Sequence, residues 1–227
     1  MRVDHLVWWC SDLSQGERFF EAELGCAPAF GGVHPGEGTR NSLLSVGEAT
    51  YVEILARDPA QPQSSLDAEL RDLEGSSGLY HWAIGTNDLG GVIAMARRNG
   101  LEMGEIVRGG RDLPSGGRIE WQVAGLQNHT FGALAPFFID WRQSSHPALT
   151  APRAGRLGAV EAFTPDATAL RHFYKGIGLE EIAVSESAEA AMKVEIIGKH
   201  GSKFLKSIRP APRGFVIRAS TAEGVHD

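Results

Sequence analysis

Two eleven-residue segments, VDHLVWWCSDL at 3–13 and LYHWAIGTNDL at 79–89, align without a gap and superpose His5 on His81, Asp12 on Asp88 and Leu13 on Leu89. Such a repeat constrains the fold more than any local preference, because each copy must build the same unit and the units must pack together. Each copy runs on into a helical pattern closed by glycine, at Leu24-Gly25 and at Asn99-Gly100. A third, degraded copy starts near Leu157. There Asp166 falls against Asp12 and Phe173-Tyr174 against Phe19-Phe20, while Ala159 takes the place of His5.

The helix of the first copy is expected to start on a capping box formed by Ser14 and Glu17, with Phe20 and Leu24 sharing its buried face. In the third copy Thr164-Pro165-Asp166 supplies the cap, and Leu170, Phe173, Tyr174 and Ile177 fall at helical spacing. The second helix is weakened by Gly90-Gly91. Alternating or apolar runs at 39–46, 50–56, 118–124 and 136–142 predict strands after the first two helices. AELRDLEG, with Leu66, Leu70 and Leu73 at helical spacing, predicts a bridging helix. The fold class that follows is α+β: paired βαβββ modules forming a curved mixed β-sheet around a pocket, plus a truncated third module. The expected boundaries are 1–75 for the first module with its bridging helix, 76–143 for the second, and 156–227 for the third, after the linker SSHPALTAPRAG.

Strand alternation assigns faces. Val3, His5, Val7 and Trp9 share one face of the first strand, Tyr51, Glu53 and Leu55 one face of another, His81 lies with Leu79 and Ala83, and Asp140 lies with Phe138. Four otherwise apolar strands thus each carry one ionisable group near the middle, and an isolated charge there costs several kcal/mol to desolvate. A shared divalent metal is the compensation that two imidazoles and two carboxylates fit. His5, Glu53, His81 and Asp140 are the expected ligands, one histidine and one carboxylate per module. The alternative for each is structural: a hydrogen-bonded histidine, or a carboxylate facing water.

Around that set, Thr39 and Asn41 stand where a glycine-rich segment enters a strand, placed to hold a substrate oxygen or to cap a turn. Trp9, Tyr51 and Phe138 are expected to form an apolar pocket, and Trp121 either stacks on substrate or packs in the core. Arg111 and Arg118 are either anion contacts or surface residues. His34, His129, His146, His172 and His200 belong to no pattern. The glycine-rich runs at 31–38 and 109–117 do not lead from a strand into a helix as a phosphate loop requires.

Composition narrows the function. The formal charge of -6 disfavours nucleic acid, and the basic residues Lys199, Lys203, Lys206 and Arg209 read as a solvated surface. The start lacks the apolar core of a signal peptide, and no stretch approaches the roughly 18 apolar residues of a membrane span. Cys10 and Cys26 are too few for a structural zinc site. The expected setting is the cytoplasm, with a small-molecule substrate as partner, no nucleic acid, no membrane, and a homodimer open.

The two-unit pattern resembles the vicinal oxygen chelate superfamily, which includes glyoxalase I and the extradiol dioxygenases. Through GGVHPGEGTRNSLLSVG, YVEILARDP, RGGRDLPSGGRIEWQVAG and PFFIDW the chain is more specifically similar to the glyoxalase-like domain family. The resemblance implies that His5 and His81 open the modules as metal ligands and that Glu53 and Asp140 close them, Asp140 replacing the usual Glu of glyoxalase I. It also implies a divalent cofactor (Zn, Ni, Co, Mn or Fe). The implied activity is a metal-dependent lyase or isomerase that chelates adjacent oxygens, stabilises an enediolate and moves a proton through Glu53 or Asp140. The alternatives are a non-haem iron extradiol dioxygenase on a His-His-Glu triad and a metal-free binding protein of the same fold.

Overall fold

The aspartate that recurs in all three copies is the helix N-cap in each. A computed structural model of the chain describes residues 1–61, 67–113 and 116–208. In it, helix α1 (Leu13–Leu24) is capped by Asp12, whose carboxylate accepts the backbone N–H of Gln15 at 2.8 Å. Helix α3 (Leu89–Arg98) is capped by Asp88 through Gly91 N–H, and α4 (Ala167–Gly176) by Asp166 through Ala169 N–H, both at 2.8 Å. The capping box expected at Ser14 does not form, because Asp12 already occupies that role and Glu17 instead accepts the Ser42 hydroxyl at 2.6 Å. Gly91 belongs to the same chemistry: a Cβ there would overlap the Asp88 carboxylate. Replacing Asp12, Asp88 or Asp166 by alanine is expected to cost about 1 kcal/mol each, adding almost independently, as measured by urea unfolding.

The first module supplies strands β1 (Arg2–Cys10), β2 (Ala29–His34), β3 (Thr39–Ser45) and β4 (Tyr51–Arg57), in the spatial order β2-β3-β4-β1. Helix α2 (Asp67–Asp72) bridges to β5 (Ser77–Gly85) of the second module, which continues through β6 (Glu102–Met103), β7 (Val107–Asp112), β8 (Arg118–Gln127) and β9 (Phe137–Asp140). β1 pairs antiparallel with β5, and this seam joins the modules into one nine-stranded sheet. The sheet curves until its two outer strands meet: Arg111 of β7 donates from Nη1 to the Gly31 carbonyl of β2.

Much of the glycine-rich runs at 31–38 and 109–117 is strand, in β2 and β7. The glycines serve a close approach. A Cβ on Gly31 would overlap Asn41 Oδ1, and one on Gly109 would overlap the Trp121 indole, so glycine lets neighbouring side chains lie across these strands.

The convex face carries the main core, where Leu6, Phe20, Trp82, Phe138, Leu170 and Val194 are fully buried. Burying a side chain such as Phe20 contributes about 1.5–3 kcal/mol. The third segment packs here. It consists of β10 (Gly155–Thr164), α4, β11 (Ala183–Glu186), β12 (Ala191–Gly198) and β13 (Gly201–Lys206), and it forms a separate sheet in the order β11-β10-β12-β13. Tyr174 Oη and Trp82 Nε1 both donate to the Leu134 carbonyl, at 2.8 and 3.3 Å, tying this segment to the second module. Leu66, Arg209 and the rest of the third segment beyond 208 lie outside the described residues. No helix among the described residues is long and apolar enough to cross a membrane.

Candidate active site

The concave face of the large sheet lines an open cavity of about 850 Å³. His5 and Val7 from β1, Tyr51, Glu53 and Leu55 from β4, and His81 from β5 point into it, together with Thr39, Asn41 and Trp121. Trp121 therefore lies on the cavity wall, edge to face with Trp141 at 5.6 Å between ring centroids.

His5 is the best-oriented group. The register of β1 against β5 slips between Val3 and His5, so the intervening Asp4 is a bulge residue and its side chain sits beside that of His5. Gly85 across the seam leaves the space, since a Cβ there would approach Asp4 Oδ2 to 2.7 Å. Asp4 accepts from His5 Nδ1 at 2.8 Å, from His146 Nε2 at 3.1 Å and from Trp141 Nε1 at 3.1 Å. Burial would raise the carboxyl's pKa, but the hydrogen bonds from His146 and His5 outweigh it and hold Asp4 well below the usual carboxylate range. With Nδ1 committed to Asp4, His5 turns Nε2 toward the cavity, where Glu53 Oε2 lies at 3.8 Å. Tyr51 stacks on the imidazole at 4.8 Å. Burial, then the charges of Glu53 and Asp4, push the Tyr51 hydroxyl well above its ordinary pKa, so this phenol stays neutral.

Glu53 is held from its other oxygen. Asn41 Nδ2 donates to Glu53 Oε1 at 2.5 Å and also reaches His34 Nε2 at 3.2 Å, while His34 Nδ1 meets Thr39 Oγ1 at 2.9 Å. Thr39, His34, Asn41 and Glu53 thus form one chain along β2, β3 and β4. His81 lines the same cavity, and burial pushes its pKa down to about 4. Arg111, 4% exposed, also lines it, and burial lowers its pKa against the opposing influence of Glu53 and Tyr51.

Three expectations are corrected. Asp140 is turned away from the cavity. Phe137, Ile139 and Trp141 face inward, and Asp140 instead accepts from Arg142 N–H at 2.8 Å. Register explains it: Val7 and Ala83 each lie two residues after the histidine that opens their module, and Val7 pairs with Glu53 whereas Ala83 pairs with Phe137. The position equivalent to Glu53 is therefore Phe137, whose ring lies 5.3 Å from His5 and 5.2 Å from His81. Phe138 belongs to the convex core and is fully buried there. Trp9 packs with Leu55, Leu70 and Leu73 beneath α2 and donates to the Leu73 carbonyl at 3.0 Å, away from the cavity lining. Sequence reasoning missed Asp4, His34 and His146. The Asp4-His5 dipeptide was the one available signal, since a carboxylate beside a candidate ligand is what an orienting partner would look like.

A metal would find a partial match here. Among the described residues no three His, Cys, Asp or Glu side chains converge on one point as they stand. The donors on the wall nevertheless suit a divalent ion of three-ligand type: His5 has the carboxylate-held imidazole common to metal-binding histidines, Glu53 stands next to it, and His81 lines the same cavity. Phe137 removes the fourth ligand position.

A family model described as a glyoxalase-like domain matches residues 3–193. The chain belongs to the glyoxalase-like domain family. No curated protein sequence matches it. Among solved structures, this glyoxalase-like protein is similar to a hypothetical protein from Staphylococcus aureus with a TM-score of 0.60 at 17% identity, covering 90% of this chain and 84% of that one. A Streptomyces coelicolor methylmalonyl-CoA epimerase in complex with 2-nitronate-propionyl-CoA aligns with a TM-score of 0.47 at 19% identity, over 65% of this chain and 99% of that one. The first likeness concerns the fold of nearly the whole glyoxalase-like chain, third segment included.

Proposed function

We propose that this protein is a metal-dependent lyase or isomerase that moves a proton on a small substrate carrying adjacent oxygens. The observation that carries the reading is the line from Asp4 through His5 to Glu53, with Asp4 2.8 Å from Nδ1 and Glu53 3.8 Å from Nε2 of the same imidazole, on the cavity wall. His5 and His81 would hold the divalent ion in this reading, with Glu53 beside them kept as the base rather than as a ligand; the ion when bound supplies Lewis acidity to the substrate oxygens. The chain's own residues do the rest. Asp4 keeps His5 in one tautomer, and Asn41 fixes Glu53 through Oε1. Glu53 Oε2, the oxygen Asn41 leaves free, carries the proton. Tyr51, Phe137, Trp121 and Trp141 give the cavity an aromatic wall.

A second reading has its own support. With Phe137 at the fourth position, three protein ligands remain, which is the two-histidine, one-carboxylate set of non-haem iron oxygenases, and the aromatic walls would accept a catechol.

The test is metal content by mass spectrometry on tag-free protein beside the His5→Ala/His81→Ala double variant. About one divalent ion per chain in the wild type and none in the variant is the expected result. Iron would select the dioxygenase reading; nickel, zinc, cobalt or manganese would select the proton-transfer reading. No metal in either protein after incubation with each ion would sink both. Asp140→Asn is expected to leave metal content unchanged.

A further inference from the structure

Four arginines line the cavity of a chain whose overall charge is negative. Two of them are already neutralised: Arg118 lies 3.2 Å from Asp112 and 3.7 Å from Glu120, and Arg142 lies 3.4 Å from Asp140, both arginines being exposed. Arg111 differs. It is the buried one, and among the described residues no carboxylate stands within ion-pair distance of it. A buried guanidinium without an ion-pair contact is costly even with Glu53 acting on it at longer range, and an anionic ligand in the cavity would offset that cost.

The geometry also fixes where that guanidinium sits. Its Nη1 donates to the Gly31 carbonyl across the β2–β7 seam, and Gly32, with φ of +151°, clears the way, since a Cβ there would approach Nη1 to 2.8 Å. Of the five N–H donors of an arginine, one is spent on this seam and the planar fork remains to grip a carboxylate by two bonds. Trp121 and Trp141 offer the adjoining wall an edge-to-face pair suited to a flat apolar body.

We propose that Arg111 receives the carboxylate of the substrate, so that the cavity takes organic acids with an apolar or aromatic body, the acid group at the β2–β7 seam and the neighbouring oxygens toward His5 and Glu53. The second half of that statement rests on the reactive wall proposed above; the first half stands without any metal.

The probes are mandelate and its neutral isostere mandelamide, titrated against protein kept in chelator. The fluorescence of Trp121 and Trp141 reports binding, since Trp8, Trp9 and Trp82 are buried elsewhere. The expected result is that mandelate binds at least about tenfold more tightly than mandelamide, as a charge-assisted bidentate contact would produce. Arg111→Gln should abolish the preference while leaving mandelamide unchanged, and Arg111→Lys should restore part of it. Equal binding of acid and amide by the wild type would overturn the proposal, as would a folded Arg111→Gln that keeps the preference. Should Arg111→Gln fail to fold because the seam opens, the wild-type ratio together with Arg111→Lys decides. Because the titration is done without metal, a protein that binds acids but holds no ion would refute the proposed activity and leave this site standing. The reverse outcome would refute this site alone.

Discussion

Asp4→Ala is expected to destabilise the protein by about 3–5 kcal/mol, the range for breaking a buried charged network by removing one partner. For a domain of this size, at about 2–4 °C per kcal/mol, the thermal midpoint should fall by roughly 6–20 °C. The magnitude follows from what the substitution strands: His5, His146 and Trp141 each direct a ring N–H at a carboxylate that is 1% exposed. Their donors would be left buried without an acceptor. The pH dependence has a definite sign. Hydrogen bonds hold the Asp4 carboxyl below its ordinary value, so its contribution is complete above the unfolded-state value of about 4 and is lost as pH falls below that. The gap between wild type and Asp4→Ala, measured by urea unfolding, should therefore be constant from pH 8 to 5 and narrow in acid. A loss under about 1 kcal/mol at neutral pH would mean the three donors find water instead.

His81 should produce a second acid effect in a different window. Burial lowers its pKa to about 4 from 6.5. The unfolded chain then binds a proton at a pH where the folded one does not, so stability falls as pH drops from 6.5 to 4, by about 3 kcal/mol at about 1.4 kcal/mol per pH unit. The measurement is urea unfolding of chelator-treated protein, because an ion on the imidazole would add its own pH dependence. In His81→Gln the slope through this window should fall to the smaller part that His129 contributes. An unchanged slope would place the titrating group elsewhere; His129, whose pKa burial also lowers, is the next to replace.

The repeat made the architecture legible. His5 and His81, read from two short segments, do line one cavity; the repeat also aligned the aspartates at 12, 88 and 166, which start three equivalent helices, although the cap of the first was expected at Ser14. Glu53 was legible as well: alternation puts Tyr51, Glu53 and Leu55 on one face, and that face proved to be the concave one. Asp140 misled because alternation gives two faces without saying which is inside. The family pattern favoured an acidic ligand near the end of the second module, while the pairing of Ala83 with Phe137 gave that place to a phenylalanine.

What the sequence determined by itself, then, is whatever spacing and neighbouring residues govern: the paired modules, the helix starts, the strand faces and the histidine that opens each module. What only the tertiary structure decided is which residues from distant strands share a space. Asp4 meets His146 across 142 positions and Arg111 meets Gly31 across 80. Neither pairing leaves a periodic trace, because sheet closure and a one-residue bulge, rather than any local preference, bring those groups together.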